Sequence, residues 1–393
     1  MYHLINKIKS LFVFSCVFAA ALGFPLSLII SRTFFSGSGL EDVILLQIDT
    51  AFFAFLIQAG ARAGFKKAYI TGYCRLVDNL ELYIITKCTY VLLPFSFIFW
   101  FIGYEKFPFL YGINAILTLS IGLFLVKRDV YNAAKYSFLL FFINFQASLL
   151  LILFDNVILS SGEKVLIIDL GSALVYMLCI LRTRKIKFSS AANSFRLLKV
   201  VLNKYVGLQI SSLFIMLSAY IYAKSILMYV SGKPSLLFVY SDAIVVSGVT
   251  LMFISRVMML FEKSLVQNGF VKMYVVAIHL FLFCFSVVCS FVYGAFYGFG
   301  LEFFLIVLGL LGKFSHAQTS AFIDEKHRGN FVFGAAFFVL IQFLACFLLF
   351  KSPLSLSWEY FLLSFSIFVF SVLYLVYFIL SKKRFVTSKV ILK

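Results

Sequence analysis

Charge is the first shortage in this sequence. Only 13% of its 393 residues are Asp, Glu, Lys or Arg, against about 25% in a soluble globular domain, which excludes a water-facing surface wrapped around a single core. Acid is scarcer than base: 16 Asp and Glu stand against 34 Lys and Arg, a net charge of +18. Four histidines and seven cysteines without a Cys-x-x-Cys pair exclude the common metal and redox spacings. Cys16, Cys74, Cys88, Cys179, Cys284, Cys289 and Cys346 lie mostly in apolar runs and read as small apolar fillers. The apolar runs do not alternate with polar residues, which excludes the short alternating strands of an outer-membrane barrel. Long outside loops are missing too, leaving no room for an extracytoplasmic domain.

What remains is 63% hydrophobic and 19% aromatic, with a mean hydropathy of +1.05. A bilayer core takes about 20 apolar residues per helix, and helices satisfy their own backbone groups in lipid. The chain is therefore expected to be an all-α integral membrane protein with twelve spans. They are placed at 10–31, 43–63, 83–102, 108–126, 134–154, 164–181, 205–223, 236–255, 273–297, 303–323, 331–350 and 359–380. The first follows a basic start like a signal peptide, yet it is long enough to stay as a span.

Lys and Arg set the orientation, because short basic loops resist translocation. With a cytoplasmic N-terminus, 27 of them fall on inside segments and six on outside ones, with Lys87 inside the third span. Both termini are then cytoplasmic, and the +18 charge needs no nucleic acid to explain it; basic loops also attract anionic lipid. The densest inside segment is RTRKIKFSSAANSFRLLKVVLNK, with seven basic residues and no acid. It divides the chain into an N-terminal lobe at 1–181, a basic linker at 182–204 and a C-terminal lobe at 205–393.

The two halves share a pattern. Arg32 closes the first span, a Gly/Ser loop at Ser36–Gly39 follows, and the second span carries Asp49 and ends near Arg62. Lys224 follows the seventh span, Ser231-Gly232-Lys233-Pro234 forms the loop, and the eighth span carries Asp242 and ends near Arg256. The base-to-Asp spacings are 17 and 18, and the Asp-to-Arg spacings 13 and 14. Six spans per half make this a parallel repeat, a construction in which transporters place substrate at the repeat interface.

Carboxylates inside spans are costly in lipid, which makes Asp49, Asp169 and Asp242 functional candidates. Asp49 and Asp242 either bind a proton or sodium ion that couples transport to a gradient, or pair with Arg32 or Lys224, or stay wet near the interface. Arg62 and Arg256 either snorkel to the headgroups or form a basic entrance whose guanidinium forks suit a diphosphate. Gln58 lies one turn before Arg62 on the same face. His279 has no triad-like companion. Gly60 with Gly64, and Gly294 with Gly298, read as close helix packing, and Pro25 as a kink.

The segment PLSLIISR, the Gly/Ser loop and LEDVILLQIDTAFFAFLIQAGARAGFKKA together resemble the first hairpin of Wzx-type polysaccharide and O-antigen flippases. These belong to the multidrug/oligosaccharidyl-lipid/polysaccharide (MOP) exporter superfamily. The second-half hairpin, AKSILMYVSGKPSLLFVYSDAIVVSGVTLMFISR, is similar, except that no proline there matches Pro25. The resemblance implies two six-helix lobes around a central cavity in a bacterial inner membrane. It implies a flippase, not an enzyme, moving an oligosaccharide on undecaprenyl diphosphate for lipopolysaccharide or related polysaccharide biosynthesis, alongside other glycan-assembly proteins. Arg32, Arg62, Lys224 and Arg256 match by position the basic residues that hold the diphosphate or acidic sugars, and no cofactor is implied. A MATE-like drug or cation exporter is the alternative on the same architecture. A glycan polymerase, an acyltransferase and an uncoupled scramblase are further alternatives.

Overall fold

The computed structural model describes residues 37–58, 130–153, 160–182, 206–267 and 271–320, with isolated positions between 12 and 16 and between 332 and 344. Seven helices account for the continuous stretches: α1 (Gly37–Gln58), α2 (Val130–Leu153), α3 (Ser161–Arg182), α4 (Val206–Val230), α5 (Pro234–Gln267), α6 (Val271–Tyr297) and α7 (Gly300–Ser320). No strand occurs among the described residues. The first, third, fourth, eleventh and twelfth expected spans lie outside the continuous described stretches. So do Arg32, Arg62, Gly60, Gly64, Pro25 and most of the basic linker.

Each described helix overlaps an expected span, but three boundaries move. Helix α1 begins at Gly37, so most of the Gly/Ser stretch read as a loop is its first turn. Helix α4 runs to Val230, seven residues beyond the expected end, because nothing before Ser231-Gly232 breaks it; Lys224 is therefore helical. Helix α5 runs to Gln267, carrying Arg256 within a helix instead of at its end. The expected lipid boundary and the end of the helix are different things, since a helix continues into water while its backbone bonds are made.

The sharpest turns have local causes. At α3, Ser160 and Glu163 form a reciprocal capping box: the Ser160 amide donates to Glu163 Oε2 at 2.8 Å, and the Glu163 amide to Ser160 Oγ at 3.3 Å. Between α4 and α5, Gly232 adopts φ +75°, a conformation an L side chain rarely takes. The Ser231 amide donates to the Leu227 carbonyl at 2.9 Å and that of Lys233 to Val230 at 3.0 Å, closing the orphan carbonyls of α4. Pro234 then opens α5, where its missing N–H costs nothing.

The chain forms two compact units. Among the described helices, unit 1 holds α1, α2, α3 and Gly248–Phe261 of α5; unit 2 holds α4, the rest of α5 (through Ser247 and from Glu262), α6 and α7. In unit 1, α3 packs against both α1 and α2. Its buried face presents Val165, Leu166, Ala173 and Tyr176. Ala173 and Tyr176 meet Tyr136, Leu139, Leu140 and Ile143 of α2. The fully buried Tyr176 hydroxyl donates to the Tyr136 carbonyl at 3.0 Å, which satisfies the one polar atom that its ring carries inward.

In unit 2, α7 packs against α6 and α4. Two glycines set the distances. Tyr222, fully buried, lays its ring end on Gly309 so closely that any Cβ there would overlap the hydroxyl. At the α6–α7 corner, a Cβ on Gly294 would come within 3.0 Å of Gly300 Cα, and one on Gly300 within 2.9 Å of the Ser290 carbonyl. Gly298 makes the turn itself with φ +79°, its amide donating to the Gly294 carbonyl at 3.0 Å. Gly294 is thus a packing glycine, as expected, whereas Gly298 serves backbone conformation.

Stretches of α4, α5 and α6 are long and apolar enough to cross a membrane: Gln209–Val230, Pro234–Leu251 and Val276–Tyr297. The last has only 22% of its residues buried. Phe291 and Phe296 of α6 are 80% and 78% exposed, and Phe138, Phe142, Phe145 and Leu149 of α2 also face outward. Outward apolar faces of this extent are rare on soluble monomers and are what lipid-facing helices present. The described architecture is that of an all-helical, multi-pass membrane protein.

A carboxylate held by an aromatic corner

Asp242 lies on α5, eight residues after Pro234, and is half-buried. Its Oδ2 accepts a hydrogen bond from the Tyr293 hydroxyl of α6 at 2.8 Å. That is the ordinary length of a well-formed O–H···O hydrogen bond. The Tyr293 ring stacks on Phe303 of α7, with centroids 4.1 Å apart and planes 9° from parallel, and leans on Tyr297 at 4.8 Å. Phe303 is itself 1% exposed. The carboxylate therefore meets one tyrosine hydroxyl whose ring is held by two further aromatic rings of the α6–α7 corner.

Buried polar residues recur on α4, α5 and α6. Ser241, beside Asp242 in sequence, and Ser247, further along α5, are buried, and neither hydroxyl has a hydrogen-bond partner among the described residues. The fully buried Tyr240 donates to the Ala223 carbonyl of α4 at 3.0 Å. On α4, Ser211, Ser218 and Ser225 recur every seven residues and are all buried, and Ser225 donates back to the Ile221 carbonyl at 2.7 Å. Ser286 and Ser290 of α6 do the same to Leu282 and Ser286, the ordinary way for a serine to hide its hydroxyl within a helix.

The repeat-related carboxylate has a different setting. Asp49 is twelve residues into α1 and 4% exposed, on a helix whose other buried residues include Leu40, Val43, Ile44 and Leu46. Asp169 lies on the face of α3 that also carries Val165, Leu166, Ala173 and Tyr176, and its carbonyl accepts from Ser172 Oγ at 2.9 Å.

Of the expected ligand residues, Lys224 is half-buried in α4 with its Nζ 5.5 Å from the Tyr220 ring centroid, within reach of a cation–π contact. Gln58 is the last residue of α1 and Arg256 lies inside α5; Arg32 and Arg62 lie outside the described residues. Tyr293, Tyr297 and Phe303 were not singled out by sequence. In a chain with 52 Phe and 21 Tyr, an aromatic residue in an apolar helix carries no distinguishing signal. Among the described residues no group of three His, Cys, Asp or Glu is placed to hold a metal ion.

No protein-family model matches the chain, and no curated protein matches it. Solved structures similar to it include an outward-facing multidrug-resistance MATE family transporter of the MOP superfamily. That match has 10% identity, covers 95% of this chain and 97% of the other, and has a TM-score of 0.45. A MATE transporter of Vibrio cholerae, in mutant form, is similar at 9% identity, with 96% and 98% coverage and a TM-score of 0.49. A MATE protein in complex with MaD5 is similar at 13% identity, with 95% and 96% coverage and a TM-score of 0.47. A likeness at that level assigns neither cargo nor coupling ion.

Proposed function

We propose that this protein is a transporter of the bacterial inner membrane that flips an oligosaccharide on undecaprenyl diphosphate from the cytoplasmic to the outer leaflet by alternating access. Coupling to a proton or sodium gradient occurs through Asp242 and Asp49. The observation that carries the coupling is the Asp242–Tyr293 hydrogen bond of 2.8 Å. A carboxylate within a membrane helix is expensive, and here a donor on a second helix orients it. Proton or ion arrival at such a group changes its charge and so changes which helix arrangement is favoured.

The cargo rests on the hairpin resemblance and on the basic residues Arg32, Arg62, Lys224 and Arg256, with Gln58 beside Arg62. Planar guanidinium groups match diphosphate oxygens in pairs. Deleting the gene tests the whole reading: lipid-linked oligosaccharide should accumulate on the cytoplasmic face while surface glycan disappears. Arg62→Ala with Arg256→Ala should abolish glycan export while the protein level stays unchanged; full export by the double variant removes the diphosphate entrance.

A second reading, export of cationic compounds, is favoured by the aromatic cluster of Tyr293, Tyr297 and Phe303, joined to Asp242 through the Tyr293 hydroxyl, since aromatic faces and a carboxylate both attract cations. Unchanged surface glycan in the deletion strain, together with new sensitivity to cationic dyes, replaces the flippase by this exporter.

A further inference from the structure

We infer that Tyr293 is a positioning residue for Asp242: its hydroxyl fixes the carboxylate through Oδ2, and the α6–α7 corner fixes the hydroxyl. The role in transport rests on the reading of Asp242 as a coupling group, but the positioning itself does not.

Three constraints converge on this one side chain. The near-parallel stack on Phe303, with centroids at 4.1 Å, removes ring rotation. Tyr297, one turn along the same helix, closes a second side at 4.8 Å. The next residue, Gly294, meets Gly300 backbone to backbone, so the Cα from which the ring projects sits in a joint where added atoms have no room. Phe303 is held in turn at the start of α7, its amide donating to the Phe299 carbonyl at 3.1 Å. A tyrosine serving only to fill an apolar gap needs none of this; a hydroxyl that must meet a carboxylate at one angle does, because ring freedom would spread the donor over several positions. The alternative, a hydrogen bond that merely joins α5 to α6, predicts loss of stability and no change in the ion or proton dependence of transport.

Tyr293→Phe separates these, since it keeps the ring and its stack and removes only the donor. In the full chain purified into lipid nanodiscs, the Asp242 carboxyl band is isolated by subtracting the infrared spectrum of Asp242→Asn. The expected result is a shift of that band to higher frequency in Tyr293→Phe, with the Asp49 band, isolated through Asp49→Asn, left in place. Phe303→Leu, which keeps the hydroxyl and frees the ring, should broaden and partly shift the same band, and it decides the matter if Tyr293→Phe does not fold. An Asp242 band identical to wild type in a folded variant overturns the inference.

In proteoliposomes, the sodium or proton concentration for half-maximal transport should shift several-fold in Tyr293→Phe, with the saturating rate within about twofold of wild type. A merely structural bond would lower the amount of active protein and leave the half-maximal concentration alone. If the band shifts but wild-type transport ignores both gradients, Tyr293 still positions Asp242 and it is the coupling function of Asp242 that falls.

Discussion

Asp49 and Asp242 occupy matching places in the two halves of the sequence and sit in unlike interiors. Around α1 and α3, the buried residues are mostly aliphatic, Leu40, Val43, Ile44, Val165 and Leu166, with Tyr176 satisfied by a backbone carbonyl. Around α4 to α7 the interior is studded with Ser211, Ser218, Ser225, Ser241, Ser247, Ser286 and Ser290, and with Tyr222, Tyr240 and Tyr293. A repeated spacing of charges thus fixes where a carboxylate falls along its helix and not what receives it. Substitution of the two carboxylates one at a time separates their contributions.

Neutralising each carboxylate is the strongest way to break that comparison. Asp242→Asn should lower transport at least tenfold, equivalent to ~1.4 kcal/mol, and abolish its response to the gradient. Asp49→Asn should do the same only if both halves couple; transport that keeps its gradient response in Asp49→Asn assigns coupling to unit 2 alone. Initial rates in proteoliposomes with imposed sodium or pH gradients read both.

Packing comes next. Gly309→Ala drives a methyl group into the buried Tyr222 ring, and overpacking of this kind costs about 1–3 kcal/mol. The thermal midpoint in detergent should fall clearly. Gly171→Ala in α3, where an added Cβ meets nothing within 4 Å, should leave it level or raise it slightly, because alanine favours helix.

Smaller effects test the polar interiors. Tyr176→Phe and Tyr240→Phe each remove one hydroxyl donor to a neighbouring helix carbonyl. Interhelical hydrogen bonds in membranes average roughly 0.6 kcal/mol, so both midpoints should drop by a small and similar amount. A larger drop for Tyr240 would show that the serine-rich interior depends more on its few cross-links. Least of all, Ser241→Ala and Ser247→Ala delete hydroxyls with no partner among the described residues, and stability should stay level or rise. A fall in either marks a hydroxyl that finds a partner in the membrane.

Much of the fold was legible because lipid imposes a length. Apolar runs of about 20 residues put an expected span on every described helix, and the errors came at ends such as Val230 and Gln267, where the hydrogen-bonded backbone continues past the apolar run. The capping box at Ser160 and Glu163 has its own sequence signature, a serine three residues before a glutamate. The candidate site was half legible: Asp242 stood out because acid is rare here, while Tyr293 did not, because aromatics are common.

The sequence by itself determined that the chain is helical and membrane-embedded, and where its rare carboxylates fall, since hydropathy, charge and spacing act along the chain. Only the tertiary structure decided that Tyr293, 51 residues away from Asp242, supplies its hydrogen bond. It also decided that Gly294 and Gly300 let the corner close tightly enough to present that hydroxyl. Contact between distant residues depends on how helices pack, and packing is set by shape in three dimensions, which no local pattern of residues records.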